Sequence, residues 1–226
     1  MNGFKSLRLG TKLTIAFLMV ALVTVVVGVV AVYQLRQVDA MMSSMYTDRL
    51  VPIRDLSHIE TELVQHYRRI YVSLAINTPE EITSQIEKNR GSEKAIDEEM
   101  AAYKQTELVD EEKRLLAAYD KASPAYRDSA SQVLKLLQEG KKDEADNLVR
   151  AQTKPLFESL AAAASGLVEI NTKVADEVNR ESTRIVEQIK RVMIGLIIAG
   201  FVLAVLIGTL ITRIITRQVG GEPDKA

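Results

Sequence analysis

The sequence predicts an all-α protein, an up-down-up-down four-helix bundle between two transmembrane helices. Two uncharged runs of twenty residues each, Leu13 to Val32 and Val192 to Ile211, lie near the two ends of the chain. At 1.5 Å per residue, about 20 residues cross a hydrocarbon core of roughly 30 Å. Between these runs, apolar residues recur every three or four positions, the spacing of an amphipathic helix, and no strand-like alternation is present.

The same patterns divide the chain into five segments. Short basic flanks set their orientation, because Lys and Arg are enriched on the cytoplasmic side of membrane spans. Basic residues lie between each apolar run and its chain terminus: Lys5, Arg8, Lys12, Arg213, Arg217 and Lys225. We therefore expect cytoplasmic tails at 1–12 and 212–226, transmembrane helices at 13–33 and 192–211, and an extracytoplasmic bundle at 34–191.

A cleavable signal peptide is the alternative for the first apolar run. That run is longer than the usual hydrophobic region of about 7–15 residues, and no small-x-small cleavage site ends it. The sequence after Val32 also continues a helical pattern. We expect an uncleaved anchor.

Composition excludes several classes of function. The chain has 29 Lys and Arg against 30 Asp and Glu, and residues 34–191 hold 23 against 28, a net charge of −5 that disfavours nucleic-acid binding. The absence of cysteine excludes disulfides and thiolate metal sites. No glycine-rich phosphate loop, nucleophile elbow or zinc-protease motif occurs in the sequence. We therefore expect no enzyme, no cofactor and no bound metal.

The first bundle helix is predicted to continue from the first span to Ile76. A kink is expected at Pro52, because proline lacks the donor of a helical hydrogen bond. Thr78, Pro79 and Glu81 then form the pattern of a capping box, with proline at the first helical position. The second bundle helix is predicted to start there.

The second helix is predicted to end near Gln105. The third starts in TELVDEEK, whose acidic residues favour a helix N-terminus, and ends at Gly140, a typical C-cap. Pro124 lies inside this helix and predicts a kink. The fourth helix starts directly after Gly140 and, beyond Pro155, is predicted to run unbroken into the second span. Four long helices joined by short turns predict the up-down-up-down topology.

Two adjacent arginines, Arg68 and Arg69, lie late in the first bundle helix. The predicted core stripe of that helix contains Leu63, Tyr67, Ile70 and Leu74. Because neighbouring helical residues point about 100° apart, the two arginines lie on opposite edges of this stripe. Arg68 shares its edge with a weaker apolar seam that we expect to face a partner subunit: Val64, Tyr71 and Ala75. Arg69 shares its edge with side chains that are polar throughout: Glu62, Gln65, His66 and Ser73.

His58, Glu62 and His66 occupy positions i, i+4 and i+8 of the same helix, a spacing that suits a divalent metal. They lie opposite the predicted apolar stripe, and no second acidic or histidine cluster is placed to complete a site. We expect a solvated helix face with a Glu62–His66 pair.

Cationic and polar residues gather at one level of the predicted bundle. At the depth of the two arginines, counted from the distal helix ends, the other helices carry Lys88, Arg90, Tyr126, Arg127, Arg150, Gln152 and Thr153. A guanidinium pairs with a carboxylate through two parallel charge-assisted hydrogen bonds. We therefore predict that the ligand is a small organic anion, either a carboxylate or an amino acid. The predicted ligand-binding residues are Arg68, Arg69, Tyr126, Arg127, Arg150, Gln152 and Thr153.

Four stretches resemble bacterial methyl-accepting chemotaxis proteins, which are chemoreceptors with a four-helix-bundle sensor. The stretches are FKSLRLGTKLTIAF at the first span, MYTDRLVPIRDL after it, NLVRAQTKPLFESL opening the fourth helix, and ITRIITRQVGGEP at the start of a HAMP linker. The resemblance covers residues 4–223. It implies a receptor of the bacterial inner membrane, with a periplasmic ligand-binding domain and a role in chemotaxis.

The resemblance also implies partners. Aspartate-type chemoreceptors are dimers that bind their ligand through arginines late in the first helix and polar groups at the start of the fourth. Arg68, Arg69, Gln152 and Thr153 match these groups in kind, although the arginine spacing differs and residue 73 is serine, which disfavours specificity for aspartate. Contact with a cytoplasmic kinase and its adaptor is expected only through a signalling region absent from this chain.

Other functions stay open on this sequence. Similar sensors precede histidine kinases and cyclases. The bundle can instead recognise a periplasmic protein or a stress signal without a small ligand, or form a static anchored dimer. Because the first and fourth helices continue into the predicted spans, a shift of one against the other would cross the bilayer, and packed helices favour discrete shifts of about 1–2 Å. We therefore favour a transmembrane sensor.

Overall fold

Long helices make up the protein. The computed structural model describes residues 9–76 and 78–219, and no β-strand occurs among them. The α-helices are α1 (Leu9–Met45), α2 (Val51–Ala75), α3 (Pro79–Tyr103), α4 (Asp110–Gln138), α5 (Lys142–Leu148) and α6 (Lys154–Val219). The predicted all-α fold is confirmed. Three of the predicted flanking basic residues, Lys5, Arg8 and Lys225, lie outside the described residues, as does the end of the predicted linker at 220–226.

The unit Ser43–Asn179 is a four-helix bundle. Its first helix consists of the end of α1 and α2, its second is α3, its third is α4, and its fourth consists of α5 and the first part of α6. Apolar side chains from all four helices fill the core, and each fully buried one contributes about 1.5–3 kcal/mol relative to exposure. The largest fully buried apolar side chains are Leu56, Ile59, Ile70, Ile96, Tyr103, Tyr126, Val133, Val149, Leu160 and Leu167.

Two π-helical turns, Tyr46–Leu50 and Val149–Thr153, interrupt the first and fourth bundle helices. Each turn ends two residues before a proline, Pro52 or Pro155. Proline has no N–H to donate, and its ring collides with the carbonyl four residues earlier in a regular α-helix. The wider π turn relieves this conflict without ending the helix. The fourth helix therefore runs unbroken past Pro155, as predicted.

Both ends of α4 follow its sequence signals. At the start, the Glu112 carboxylate accepts the backbone N–H of Val109 at 2.7 Å. At the end, Gly140 has a φ of 78°, and the N–H of Lys141 bonds to the carbonyl of Leu136 at 2.9 Å. This bond, together with the one from the Gly140 N–H to the carbonyl of Leu137, forms a Schellman motif. In this motif, glycine takes the left-handed conformation that other residues avoid. The predicted C-cap is confirmed.

The connection between α2 and α3 differs in detail from the prediction. Thr78 Oγ1 donates to the Glu81 carboxylate at 2.7 Å, and the Thr78 side chain caps no backbone N–H. The two side chains of the expected capping box therefore bond to each other. Helix α2 ends at Ala75, one residue before the predicted end, and α3 begins at Pro79, as predicted.

The second unit combines Met1–Met42 with Arg180–Ala226 and contains both uncharged runs. Each run lies on a helix that is long and apolar enough to cross a membrane. Within this unit the helices approach closely at Gly200, where an added Cβ would lie 3.3 Å from Val23 Cγ1. Small residues permit such close packing between apolar helices. The boundaries of the membrane spans stay predictions.

Candidate functional site

Arg68 lies on an exposed apolar surface of the first bundle helix. Its neighbours Val64, Tyr71 and Val72 are 53%, 42% and 44% exposed. Among the described residues of the bundle unit, the other large apolar side chains with comparable exposure are Tyr46 and Leu50, on the same helix. We use the name α2 face for the surface formed by Tyr46, Leu50, Val64, Arg68, Tyr71 and Val72.

Aromatic side chains connect the α2 face to the fourth helix. The ring of Tyr67 stacks on Phe157 of α6, with centroids 3.9 Å apart and planes 6° apart. The Tyr67 hydroxyl donates to the Tyr71 hydroxyl at 3.1 Å, and burial is the first cause that raises the pKa of Tyr67. The pKa of Arg150 is raised mainly by its hydrogen bond to Asp146 and to a smaller degree by Tyr71. The ion-pair partner of Arg150 is therefore Asp146, four residues earlier on the fourth bundle helix.

Arg69 points the other way and holds two helices together. Its Nη1 donates to Ser92 Oγ at 2.7 Å and to Asn89 Oδ1 at 3.2 Å, both on α3. Ser92 Oγ in turn donates to the Glu62 carboxylate. The guanidinium that sequence analysis assigned to the ligand therefore has protein partners, and its first role in this structure is to join α2 to α3.

The prediction that His58, Glu62 and His66 form a solvated face is wrong. His66 is 2% exposed, with Nδ1 2.8 Å from the Tyr126 hydroxyl and Nε2 3.1 Å from a Glu93 oxygen. The hydrogen bond with His66 is the first cause that lowers the pKa of Glu93. The expected Glu62–His66 pair is replaced by a contact of 3.8 Å between Glu62 and His58.

The core stripe of α2 is accordingly rotated from the predicted one. Tyr67 and Leu74 are half-buried, whereas the polar residues His66 and Ser73 are buried. Buried polar groups need hydrogen-bond partners. For His66 these partners come from α3 and α4, so the apolar pattern of one helix cannot reveal them.

The remaining predicted residues lie in separate environments. Arg127 donates to both carboxylate oxygens of Asp97 on α3, at 3.0 and 2.7 Å. Thr153 is fully buried, with its hydroxyl 2.8 Å from Ser129 Oγ, and Gln152 is exposed. Of the predicted arginines, Arg68 alone makes no hydrogen bond or ion pair within the described part of the chain. Its donors are therefore open to a ligand.

A buried polar cluster that sequence analysis missed joins all four bundle helices. The Glu112 carboxylate accepts from the Tyr103 hydroxyl at 2.9 Å and lies 3.6 Å from Arg49 Nη1. Asn171 Nδ2 donates to the Tyr103 hydroxyl at 3.0 Å. All four side chains are buried. We use the name four-helix clasp for the cluster of Arg49, Tyr103, Glu112 and Asn171.

The trace of the clasp in the sequence is weak. Glu112 is the third residue of α4, where a carboxylate commonly caps the helix start. The sequence therefore predicts a cap at this position, but it predicts neither the burial of Glu112 nor its contact with Arg49. Burial is the first cause that raises the pKa of Tyr103, which keeps its hydroxyl protonated as a donor. Within the described residues, no group of three His, Asp or Glu side chains is arranged to hold a metal. The buried polar groups thus link helices.

Comparisons with known proteins agree with this architecture. Residues 6–186 match the family model described as a four helix bundle sensory module for signal transduction. The chain is also 24% identical over 153 residues to a protein of Acetivibrio thermocellus that is named as a sensory transducer, an alignment that covers 68% of this chain and 28% of that relative. No solved structure matches the chain significantly. Because the family model spans most of its length, the chain belongs to the family of four-helix-bundle sensory modules for signal transduction.

Proposed function

We propose that the protein is a transmembrane chemoreceptor that binds a small organic anion in the periplasm and passes a helix shift inward for chemotaxis signalling. Membership in a sensory family supports the general function. The two apolar helices would anchor the chain in the bacterial inner membrane, with both termini in the cytoplasm. A kinase and its adaptor would act through a signalling region outside these 226 residues.

The observation that carries the proposal is the α2 face. Leu50, Val64 and Tyr71 are separated by two heptads and one heptad, the repeat of side chains in coiled-coil contacts. Large exposed apolar side chains grouped on one helix mark a candidate interaction site. A symmetric dimer buries the same surface on both copies. We therefore propose a homodimer in which the two α2 helices pack against each other.

Arg68 determines the chemistry of the ligand in this proposal. Dimer formation would cover an arginine that has no partner among the described residues, and a buried charge without a partner is strongly destabilising. A carboxylate at the subunit boundary would pair with the guanidinium through two hydrogen bonds. A carboxylate or an amino acid would thus stabilise the dimer.

Signal transmission would use the helices that enter both units. The first bundle helix is continuous with the first apolar run over Gly10–Ala75, and the fourth with the second run over Lys142–Arg217. The stacked rings of Tyr67 and Phe157 couple these two helices next to the proposed ligand. A discrete shift of about 1–2 Å between them is the expected signal.

Cysteine cross-linking tests the proposed dimer, because the chain has no native cysteine. Val64→Cys in native membranes is expected to form a disulfide-linked homodimer under mild oxidation, since a symmetric interface brings equivalent positions together. Glu98→Cys, on the exposed side of α3, is the matched control and is expected to stay uncrosslinked.

Efficient cross-linking at position 98 but none at 64 would contradict the proposed interface. A cross-link from position 64 to a different periplasmic protein would favour the alternative in which the bundle recognises a protein partner.

A further inference from the structure

A cleft of about 300 Å³ opens between α3 and α4, away from the α2 face. His66 of α2 and Asn89 of α3 line its buried side. His66 belongs to the core side of α2, whereas Arg68 belongs to the exposed side of the same helix. The cleft and the α2 face are therefore separate surfaces. Its volume is at the lower end of the range of small-molecule sites.

The cleft carries excess positive charge in a domain that is acidic as a whole. Arg90 on α3 and Lys135 on α4 line it from facing helices. Neither cation makes an ion pair within the described residues. The acid that lines the cleft, Glu93, is already engaged by His66 at 3.1 Å. Two cations are thus available to a ligand that enters.

A second groove between the same helices differs from this cleft because its cations are paired with acids. It has a volume of about 470 Å³ and also contains two cations, Lys104 and Arg127. Both are neutralised across the groove, Lys104 by Asp120 at 2.8 Å and Arg127 by Asp97 at 2.7 Å. Within the described residues, Arg90 and Lys135 have no such partners, which makes their cleft the better candidate for binding an anion.

The Asn89 side chain holds an unpaired donor in the wall of the cleft. Asn89 is 3% exposed, and its Oδ1 accepts from Arg69 Nη1. Because a guanidinium only donates, this contact fixes which end of the amide faces Arg69. The other end, Nδ2, is buried and has no hydrogen-bond partner within the described residues. A buried donor without an acceptor is unfavourable, and an acceptor on a ligand would relieve it.

We propose that this cleft binds a small organic carboxylate with a short apolar body. The carboxylate pairs with Arg90 and Lys135 and accepts from Asn89, while the apolar body packs against Ile86 and Leu134 of the walls. This site is independent of the site proposed on the α2 face. A bound carboxylate ties α3 to α4, and the Glu93–His66 bond connects the site to α2.

Titration calorimetry on the full chain in lipid nanodiscs tests the cleft. The probes are the sodium salts of propionate, succinate, citrate and benzoate, with sodium chloride at equal ionic strength as the blank. At least one carboxylate is expected to bind, and the double variant Arg90→Gln/Lys135→Gln is expected to weaken that binding by about tenfold or more, since each lost charged hydrogen bond is worth a tenfold factor or more. The matched control, Lys88→Gln/Lys121→Gln, removes two exposed cations from the same helices and is expected to leave binding unchanged.

Asn89→Asp separates binding from folding. This change keeps an acceptor for Arg69 but replaces the unpaired donor with an anion, so the melting temperature is expected to hold while carboxylate binding in the cleft is lost. Carboxylate binding that is unaffected by both the double variant and Asn89→Asp would overturn the proposal, as would the absence of any binding. Arg68→Gln distinguishes the two sites, because it is expected to leave the cleft unaffected.

Discussion

Glu112 is a buried acid that contacts several other groups of the bundle. Its fully buried carboxylate holds Arg49, Tyr103 and the first turn of α4. Glu112→Gln keeps the shape but removes the charge, and it leaves Arg49 buried without a counterion. Breaking a buried pair in this way costs about 3–5 kcal/mol. We expect a loss of that size in the free energy of unfolding, measured by denaturant titration of the full chain in detergent.

The neighbouring Glu111 provides the control. Its side chain is 45% exposed and pairs with Arg114 within the same helix. Glu111→Gln is expected to change the free energy of unfolding by no more than about 0.5 kcal/mol. A Glu112→Gln variant as stable as the wild type would show that the clasp adds no net stability.

Glu93 predicts a pH dependence of stability. Its hydrogen bond with His66 lowers the pKa of the carboxyl below the ordinary value of 4.5. A carboxyl whose pKa is lower in the folded state contributes stability that is present above pH 4.5 and lost as the pH falls through the folded-state pKa. Glu93→Gln is therefore expected to lower the melting temperature at pH 7, and this difference from the wild type should vanish as the pH falls below 4.5.

The melting temperature of both chains, followed by circular dichroism across this pH range, checks the sign. The exposed Glu98→Gln serves as the control and should show no such convergence. A gap between wild type and Glu93→Gln that widens toward low pH would contradict the assigned role of the His66 contact.

Replacing two glycines by alanine is expected to change the free energy of unfolding in opposite directions. Gly91 lies inside α3 with open space beside its missing Cβ, so Gly91→Ala is expected to stabilise the protein by about 0.5–1 kcal/mol. Gly140 has a φ of 78°, so Gly140→Ala is expected to destabilise it by about 1–2 kcal/mol. The same unfolding titration measures both. Shifts of the same sign in the two variants would refute the assigned end of α4.

The fold was predictable from the sequence because its signals are local. The uncharged runs, the helical period and Gly140 each act within a few residues. The response to Pro52 and Pro155 was less predictable, since a proline can kink, end or widen a helix and only the surrounding packing decides. Here both prolines are accommodated by π turns.

The candidate site was only partly predictable. The separation of Arg68 from Arg69 follows from helical geometry alone, and the structure has the two side chains in different environments. The partners of Arg69, His66 and Glu112 come from other helices, and no pattern within one helix specifies them. Sequence analysis grouped these residues by their depth in the bundle. The structure distributes them among the α2 face, the core and ion pairs between helices.

In the whole molecule, two features connect the helices of the bundle to the apolar runs. The first and fourth bundle helices continue into the apolar runs, and the clasp ties both to α3 and α4. The chain spans little more than a quarter of the length of the named relative. Ligand binding at the α2 face is the part of the proposed function that can be tested with this chain alone.

The most direct test is titration of organic carboxylates and amino acids into the full chain in nanodiscs, in the Arg90→Gln/Lys135→Gln background that removes the cleft cations. At least one compound is expected to bind, and adding Arg68→Gln should weaken it by about tenfold or more. Adding Arg114→Gln, an exposed arginine of α4, should leave it unchanged. Binding that is equally tight with and without Arg68, or no binding by any compound, would contradict the account.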